Sequence, residues 1–248
     1  MKERIVIIPT YNEIENIELI IRKVFSLSLP FDILIVDDGS PDGTAQQVKH
    51  LQIEFDQNLH ILERKGKLGL GTAYIAGFKK CLKEGYQYIF EMDADFSHNP
   101  EDLVHLYQAA KDEKYDLVVG SRYIKGVNVV NWSIYRVLLS YFASMYVRLV
   151  SRMPIMDATA GFKCYHRSVL ETINLDEIRF IGYAFQIEMK FKAWRAGFRI
   201  KEIPIIFTDR TRGESKMSTG IIQEALFGVL QMKISSWFKK SPKKIGKS

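Results

Sequence analysis

Cysteine is scarce in this sequence, and long apolar runs are absent from it. Cys81 and Cys164 are the only two cysteines among 248 residues, and neither a Cys-x-x-Cys pair nor a histidine at suitable spacing indicates a zinc site. We therefore expect both thiols to be reduced, in a protein of the cytosol rather than a disulfide-stabilised secreted domain. The amino-terminal segment MKERIVIIPTYNE has an apolar run that is too short for a signal peptide. No window reaches the roughly 18 apolar residues of a membrane span, so none is predicted.

Excess charge is also absent from most of the chain. Five of the six net positive charges come from lysines within residues 239–248, a segment that contains no acid. A basic body would have indicated nucleic acid as a partner. A basic tail on a near-neutral body instead indicates that one end of the molecule binds an anionic surface.

What the sequence does contain is a regular succession of short apolar, β-branched runs with helical patterns between them. The runs begin 28, 27, 28 and 29 residues apart and are Ile5–Ile8, Ile33–Val36, His60–Leu62, Tyr88–Phe90 and Leu117–Val119. Each interval has room for one strand and one helix. Near-continuous apolar strands that alternate with helices predict an α/β fold with a mostly parallel central sheet, covered on both faces.

Three of the predicted strands end in polar segments. These segments are Pro9–Glu13, Asp37–Ser40 and Asp93–Asp95. In parallel sheets, ligands bind beyond the carboxyl ends of the strands. The three segments therefore predict one polar site along one edge of the sheet, where an aspartate after the second strand suits a ribose hydroxyl or a base edge.

The strand–helix rhythm ends near residue 125. We predict a helix over 133–151, a strand near 162–165, a helix near 183–196 and a strand near 200–207. No Pro-, Gly- or Ser-rich linker precedes this half, so we assign residues 1–220 to a single domain.

A terminal helix, Ile221–Phe238, is predicted to be apolar on one broad face. That face consists of Ile222, Ala225, Leu226, Val229, Leu230, Ile234, Trp237 and Phe238, with Gln223, Glu224, Gln231 and Ser235 opposite. Such a helix packs either on the core or on a membrane surface, and its own pattern favours neither. The lysines of 239–248 directly after it favour the membrane surface.

The segment Asp93-Ala94-Asp95 places two carboxylates at the end of the fourth predicted strand. Residues i and i+2 of a strand point to the same side, so both side chains can reach one ion. Two protein oxygens, with water and substrate phosphate in the other positions, typically hold Mg²⁺ or Mn²⁺ in phosphate chemistry. The alternative is a solvated loop in which Asp95 or Ser97 caps the helix that follows Pro100.

A weaker motif, Gly69–Ala73, follows the third predicted strand. It departs from a dinucleotide fingerprint because Tyr74 replaces the third glycine and because the segment does not follow the first strand. Basic residues precede it, at 64, 65 and 67. We interpret it as a helix start that faces a diphosphate.

Together the motifs resemble a known family. They run in order from about residue 4 to 220 and are IVIIPTYNE, ILIVDDGSPDGT, GLGTAYIAGF, MDADFSHNP, GSRY, DATAGFKCY, GYAFQIEM and DRTRGESKMS. The sequence resembles the inverting glycosyltransferases of GT-A fold, and within them the polyprenyl-phosphate mannosyltransferases, the dolichyl-phosphate mannose synthase group. The resemblance implies a nucleotide-sugar-binding fold and makes residues 1–220 the catalytic domain.

The resemblance implies a role for each matching residue at the nucleotide and at the metal. The nucleotide-binding positions are Pro9, Tyr11, Glu13, Val36 and Asp38, and the positions for the diphosphate and for Mg²⁺ or Mn²⁺ are Asp93, Ala94 and Asp95. Ser97 stands where some members have a glutamine that ligates the metal, which leaves its role open.

Cationic residues complete the implied site. Arg122, Arg210 and Lys216 would bind the donor phosphate and sugar, whereas Arg136 and Ser140 would receive the lipid phosphate. The catalytic positions implied are Asp95, Arg122, Arg136 and Arg210. The acceptor phosphate is a monoester with a second pKa near 6, so it is largely dianionic at pH 7 and needs no strong general base.

The implied reaction is metal-dependent, inverting transfer of mannose from GDP-mannose to a polyprenyl monophosphate. Many family members add carboxyl-terminal membrane spans, which are not predicted here. We therefore expect a peripheral protein on the cytoplasmic face of a membrane, attached through residues 221–248, with room for a membrane-spanning partner. Three alternatives stay open: hexosyl transfer from a UDP-sugar such as UDP-glucose, a non-catalytic nucleotide-sugar-binding subunit, and a membrane-surface scaffold that uses only the tail.

Overall fold

A computed structural model of the protein describes residues 2–182, 184–209 and 219–238. The described strands are β1 (Arg4–Thr10), β2 (Asp32–Asp37), β3 (Leu59–Glu63), β4 (Tyr88–Glu91), β5 (Leu117–Ser121), β6 (Val129–Val130), β7 (Lys163–His166), β8 (Ile200–Pro204) and β9 (Phe207–Thr208). The described helices are α1 (Ile14–Phe25), α2 (Thr44–Phe55), α3 (Leu70–Lys83), α4 (Asp102–Lys111), α5 (Ile134–Ser151), α6 (Arg167–Thr172), α7 (Ala184–Arg195) and α8 (Thr219–Phe238).

Seven of the strands form one sheet in the order β3-β2-β1-β4-β7-β5-β8. Every neighbouring pair is parallel except those that involve β7, which runs antiparallel to both β4 and β5. The predicted mostly parallel α/β sheet is thereby confirmed. The segment near 200–207, predicted as one strand, instead forms two, because after Pro204 the chain leaves the large sheet and β9 pairs with β6.

Helices cover both faces of the sheet, which explains the near-continuous apolar strands. Val6 and Ile8 of β1 pack under α1, α2 and α4, whereas Ile5 and Ile7 point to the opposite core under α3, α6 and α7. Successive strand residues alternate between the faces, so a strand that is buried on both faces needs apolar residues at every position.

The glycines of α3 allow this helix to approach its neighbours closely. A Cβ at Gly71 would lie 2.9 Å from the ring of Phe185, and one at Gly77 would lie 2.9 Å from Ile7. The backbone N–H of Gly71 donates to the carbonyl of Ile181 at 2.9 Å. The missing side chain and the N–H of Gly71 thus both serve its packing against Ile181 and Phe185, and the diphosphate-facing role of Gly69–Ala73 stays a prediction.

Helices α5, α7 and α8 pack together beside the sheet around a small apolar cluster. Its buried members on the three helices are Val147 of α5, Ile187 and Phe191 of α7, and Val229 of α8. The two neighbours α5 and α8 therefore hold only part of their apolar surface in the interior.

The outer face of α5 remains exposed and apolar along its whole length. Its exposed members recur every three or four residues and are Ile134, Leu138, Tyr141, Met145 and Leu149, flanked by Tyr135 and Phe142. At 3.6 residues per turn this spacing forms one continuous stripe. We call this set the α5 stripe.

The predicted apolar face of the terminal helix is divided in the structure. Val229 is buried, whereas Leu230, Ile234 and Trp237 are exposed together with Phe227. These four exposed residues share one side of the helix and are named the α8 stripe. Among the helices of the described residues, none combines the length and the hydropathy that crossing a bilayer requires.

Candidate active site

A cavity of about 210 Å³ opens at the carboxyl ends of β4 and β5, at the edge predicted from the sequence. Five of the predicted site residues line it, namely Asp93, Asp95, Arg122, Arg136 and Ser140. Ser97, whose role was left open, lines it as well. Arg210, Lys216 and the lysines of 239–248 lie outside the described residues.

The acidic loop after β4 is held by its own hydrogen bonds. Asp95 Oδ1 accepts from the backbone N–H of Ser97 at 3.1 Å and from its hydroxyl at 2.6 Å. Asp95 therefore caps its own loop, and α4 begins later, at Asp102. Ser97 orients Asp95 through this contact, which leaves the two acidic side chains on the wall of the cavity.

His98 also lines the cavity, at a position that the sequence analysis did not single out. Its Nδ1 accepts from the backbone N–H of Asp93 at 3.3 Å, and its ring stacks on Phe162 with the centroids 4.8 Å apart. Burial lowers the pKa of His98 to about 4, although the nearby Asp95 carboxylate acts in the opposite direction. A neutral imidazole can accept at Nδ1, so this histidine fixes the backbone from which Asp93 projects.

Arg122 meets a carboxylate that was also missed. Asp157 accepts from the backbone N–H of Arg122 at 2.9 Å, from Nε at 2.7 Å and from Nη2 at 2.6 Å. Burial by itself raises the pKa of Asp157, but the charge and hydrogen bonds of Arg122 outweigh it and hold that pKa below its usual range. The guanidinium also donates to Thr159 at 2.8 Å and lies near the Trp132 and Phe207 rings, which fixes its position at the cavity.

Arg136 lies in the first turn of α5, which begins there because Ser133 caps it. The Ser133 hydroxyl accepts from the backbone N–H of Arg136 at 3.3 Å. The guanidinium lies over the Trp132 ring at 4.1 Å, and its Nη1 donates to Asp209 at 2.7 Å. Within the described part of the chain, neither Arg136 Nε nor Trp132 Nε1 has a hydrogen-bond acceptor, although both atoms are buried.

A row of buried charges supports the cavity floor. Lys163 Nζ lies 3.1 Å from Glu91 Oε2 and donates to Gln186, which in turn donates to Glu91 at 2.9 Å. Burial lowers the pKa of Lys163 despite the attraction of Glu91. Lys190 donates to the carbonyl of Ala160 at 2.6 Å, and burial places its pKa well below the usual range. These contacts fasten the segment before β7 to α7 and give the cavity a fixed wall.

The residues predicted for the nucleotide lie at or just beyond the ends of β1 and β2, and β1 pairs with β4 in the sheet. Pro9 and Val36 are partners in the parallel pairing of the two strands. The backbone N–H of Glu13 donates to Thr44 Oγ1 at 3.0 Å, which joins the two strand-end loops. The ammonium of Lys67 lies 5.1 Å from the centre of the Tyr11 ring, and Ala94 is buried in the core cluster that includes Ile8.

Asp38 is not an open carboxylate at this end of the sheet. Arg64 donates to it from Nε at 2.7 Å and from Nη2 at 3.1 Å, and both side chains are about nine-tenths buried. Burial raises the pKa of Asp38 even beside this arginine. A nucleotide group that approaches Asp38 therefore meets a carboxylate that is already paired with a cation.

The mostly parallel sheet, with carboxylates and arginines at its carboxyl edge, has the GT-A fold of glycosyltransferases. The same fold occurs in glucosyl-3-phosphoglycerate synthase of Mycobacterium tuberculosis, solved with Mn²⁺, UDP-glucose and phosphoglyceric acid, at a TM-score of 0.67 and 14% identity over 94% of this chain and 80% of that one. It also occurs in TarS of S. aureus bound to UDP, at a TM-score of 0.62 and 19% identity over 98% of this chain and 68% of that one.

The chain belongs to glycosyl transferase family 2, whose profile matches residues 5–173. It is 46% identical to the polyprenol monophosphomannose synthase of Mycolicibacterium smegmatis over 92% of this chain and 85% of that protein. It is 45% identical to the undecaprenyl-phosphate mannosyltransferase of Micrococcus luteus over 90% of each protein. The predicted enzyme class, a glycosyltransferase, is confirmed.

Proposed function

We propose that this enzyme transfers mannose from GDP-mannose to a polyprenyl monophosphate. The observation that carries the proposal is the two-sided character of the cavity. Asp93, Asp95 and Arg122 line its polar end, and Arg136 stands beside an apolar wall formed by Leu139, Ala143 and Val147 on the inner face of α5. A phosphate with a long apolar chain fits such a wall, and the names of the two mannosyltransferase relatives support the same acceptor class.

Asp93 and Asp95 are proposed to hold Mg²⁺ or Mn²⁺. Both present carboxylate oxygens to the cavity, and these are the ligands that hard divalent cations take. Within the described residues, no group of three acidic, histidine or cysteine side chains gathers. Water and the donor diphosphate would therefore have to supply the other ligands of the ion. Such an ion would neutralise charge on the leaving diphosphate.

The chain's own residues perform the rest of the proposed reaction. Arg136 orients the acceptor phosphate, because a guanidinium fork matches phosphate oxygens. The acceptor is already dianionic, so attack on the anomeric carbon needs no strong base, and one in-line displacement inverts that carbon. Arg122, fixed by Asp157, presents positive charge to the donor phosphates as they gain negative charge. We place Arg210 and Lys216 with this donor group, from the family resemblance.

The two exposed apolar stripes support attachment to a membrane surface. The α5 stripe and the α8 stripe belong to neighbouring helices, and the inner face of the same α5 lines the cavity. An apolar face of this kind is buried at the boundary between lipid headgroups and acyl chains. The lysines of 239–248 would add about 1 kcal/mol each near an anionic leaflet. We therefore propose a peripheral enzyme on the cytoplasmic face, with residues 1–220 catalytic and 221–248 proximal to the membrane.

A panel of donors tests the proposal directly. Purified enzyme is incubated with Mn²⁺, a short polyprenyl phosphate and, in separate reactions, GDP-mannose, UDP-glucose, GDP-glucose and UDP-N-acetylglucosamine. We expect a lipid-linked sugar to form in the reaction with GDP-mannose and in none of the other three. Faster transfer from UDP-glucose would show that the enzyme transfers glucose rather than mannose. Binding of a donor without any transfer would favour a non-catalytic subunit.

The metal site has its own test in Asp95→Asn. We expect transfer to fall at least about a hundredfold, as removal of an electrostatic stabiliser of the reacting charge does. Unfolding is expected to change little, because Asp95 is only partly buried and lies in the loop after β4 rather than in the core. The matched control is Asp112→Asn, at the exposed end of α4. Full activity of Asp95→Asn, or of the native enzyme in excess EDTA, would contradict the assignment.

A further inference from the structure

Arg136 contacts Asp209, a residue with no role in the proposed transfer. Asp209 follows β9 and presents its Oδ2 to Arg136 Nη1 at 2.7 Å, on the wall of the cavity. We propose that the Asp209 carboxylate occupies the place of the acceptor phosphate on Arg136 and is exchanged for it when the acceptor binds. This inference rests on the proposed function and names a specificity-determining residue for it.

The position of Asp209 is fixed by the backbone on both sides of the cavity. Its N–H donates to the carbonyl of Val130 at 3.0 Å, and the N–H of Thr208 donates to the carbonyl of Ser97 at 3.2 Å. The carboxylate is thus attached to the small β6–β9 sheet and, through Ser97, to the acidic loop. The fold therefore places the Asp209 carboxylate beside Arg136, and the contact does not depend on a freely moving surface side chain.

The carboxylate satisfies Arg136 only in part. The hydrogen bond between them joins Asp209 Oδ2 to Arg136 Nη1. Arg136 Nε and Trp132 Nε1 are buried without an acceptor among the described residues. A buried donor without a partner is unfavourable, so a ligand that supplies more oxygens at this place gains hydrogen bonds that the carboxylate does not make. A phosphate monoester offers three terminal oxygens and a second negative charge.

Because a ligand must displace the Asp209 carboxylate, only some anions bind at Arg136. A ligand must interact with Arg136 more strongly than one carboxylate does, which favours a dianionic phosphate over weaker anions. Removing the carboxylate while keeping its shape, in Asp209→Asn, should therefore tighten anion binding. A role of Asp209 in holding Arg136 in place predicts the opposite, weaker binding.

Trp132 provides a readout that does not depend on activity, because its ring lies against Arg136. The chain has three tryptophans, so Trp194→Phe with Trp237→Phe leaves Trp132 as the single emitter. Farnesyl phosphate and inorganic phosphate are titrated separately at constant ionic strength. The proteins compared are this single-tryptophan enzyme, Asp209→Asn, Arg136→Gln and the double variant.

We expect Asp209→Asn to bind both probes about three- to tenfold more tightly and by the same factor, as removal of one competing charge-assisted contact predicts. When Arg136 is already replaced by glutamine, Asp209→Asn should change the affinity for either probe less than about twofold. The four proteins form a double-mutant cycle, which isolates the interaction between Arg136 and Asp209. Unchanged or weaker binding by Asp209→Asn would overturn the inference, and so would an equal gain without Arg136.

The two probes separate this inference from the proposed function. Tighter binding of inorganic phosphate with no binding of farnesyl phosphate would uphold the exchange at Arg136 and contradict the prenyl acceptor. Binding and transfer of farnesyl phosphate in every variant, with no effect of Asp209, would uphold the acceptor and overturn the exchange.

Discussion

Asp157→Asn should destabilise the protein strongly, because it removes the carboxylate that pairs with the buried Arg122 guanidinium. The Asp157 side chain is fully buried and accepts three hydrogen bonds from Arg122 at 2.6 to 2.9 Å. Asparagine retains one acceptor oxygen, which suffices for the backbone N–H, but it places an amide N–H₂ against the guanidinium. Removing one partner of a buried ion pair costs about 3–5 kcal/mol.

Thermal unfolding followed by circular dichroism measures this cost. In a chain of this size, about 3 °C of midpoint corresponds to 1 kcal/mol, so the melting temperature should fall by about 12 °C for a loss of about 4 kcal/mol. Arg122→Met combined with Asp157→Asn removes the unpaired charge and should recover more than half of that loss, although transfer activity stays absent. A fall of less than about 3 °C, or a double variant no more stable than Asp157→Asn, would refute the reasoning.

The pH dependence of this contribution has a defined sign. The pKa of Asp157 is held below its ordinary value of 3.8 in the folded protein. A carboxyl group of this kind stabilises the fold fully above its unfolded pKa, and the contribution is lost as the pH falls through the folded pKa. The difference in melting temperature between native enzyme and Asp157→Asn should stay constant from pH 8 to about 5 and shrink below about pH 4. A difference that grows on acidification would contradict the assignment.

Two further predictions concern packing and membrane attachment. Gly71→Ala should lower the free energy of unfolding by about 1–3 kcal/mol, measured by urea titration, because its methyl group would meet the Phe185 ring at 2.9 Å; an unchanged midpoint would exclude the close contact. Leu149→Glu should reduce sedimentation with anionic liposomes, whereas Ile53→Glu, an equally exposed isoleucine on α2, should not. Deletion of 239–248 should weaken sedimentation at low salt and matter little at high salt; equal sedimentation of both lengths at low salt would exclude the tail as an anchor.

The sequence predicted the first half of the fold because burial on both faces forces a strand to be apolar at every position. It gave no indication of the direction of β7. That strand is Lys163-Cys164-Tyr165-His166, and its fully buried lysine resembles a surface residue until Glu91 is known to lie beside it. Pairing direction depends on contacts between distant segments, which local periodicity does not encode.

The sequence predicted the cations of the candidate site but not the contacts that hold them in place. Arg122 and Arg136 were identified as cations, but their partners were not. Asp157 lies 35 positions from Arg122, and Asp209 lies 73 positions from Arg136. Each of these acids looks like an ordinary surface carboxylate in the sequence, because only the folded sheet brings it to its arginine. The roles proposed for Arg210 and Lys216 stay predictions.

The late arrival of β7 in the chain has a consequence for biosynthesis. Until residues 163–166 emerge from the ribosome, β4 is the edge strand of the partial sheet that β1 to β4 can form. An open edge invites pairing with another nascent chain, and a charged side chain that points inward from the edge opposes it. Glu91 is such a side chain, and Lys163 opposite it is the residue that neutralises it on docking. Glu91 thus opposes pairing of the unfinished edge with another chain, and Lys163 supplies the matching charge when β7 docks there.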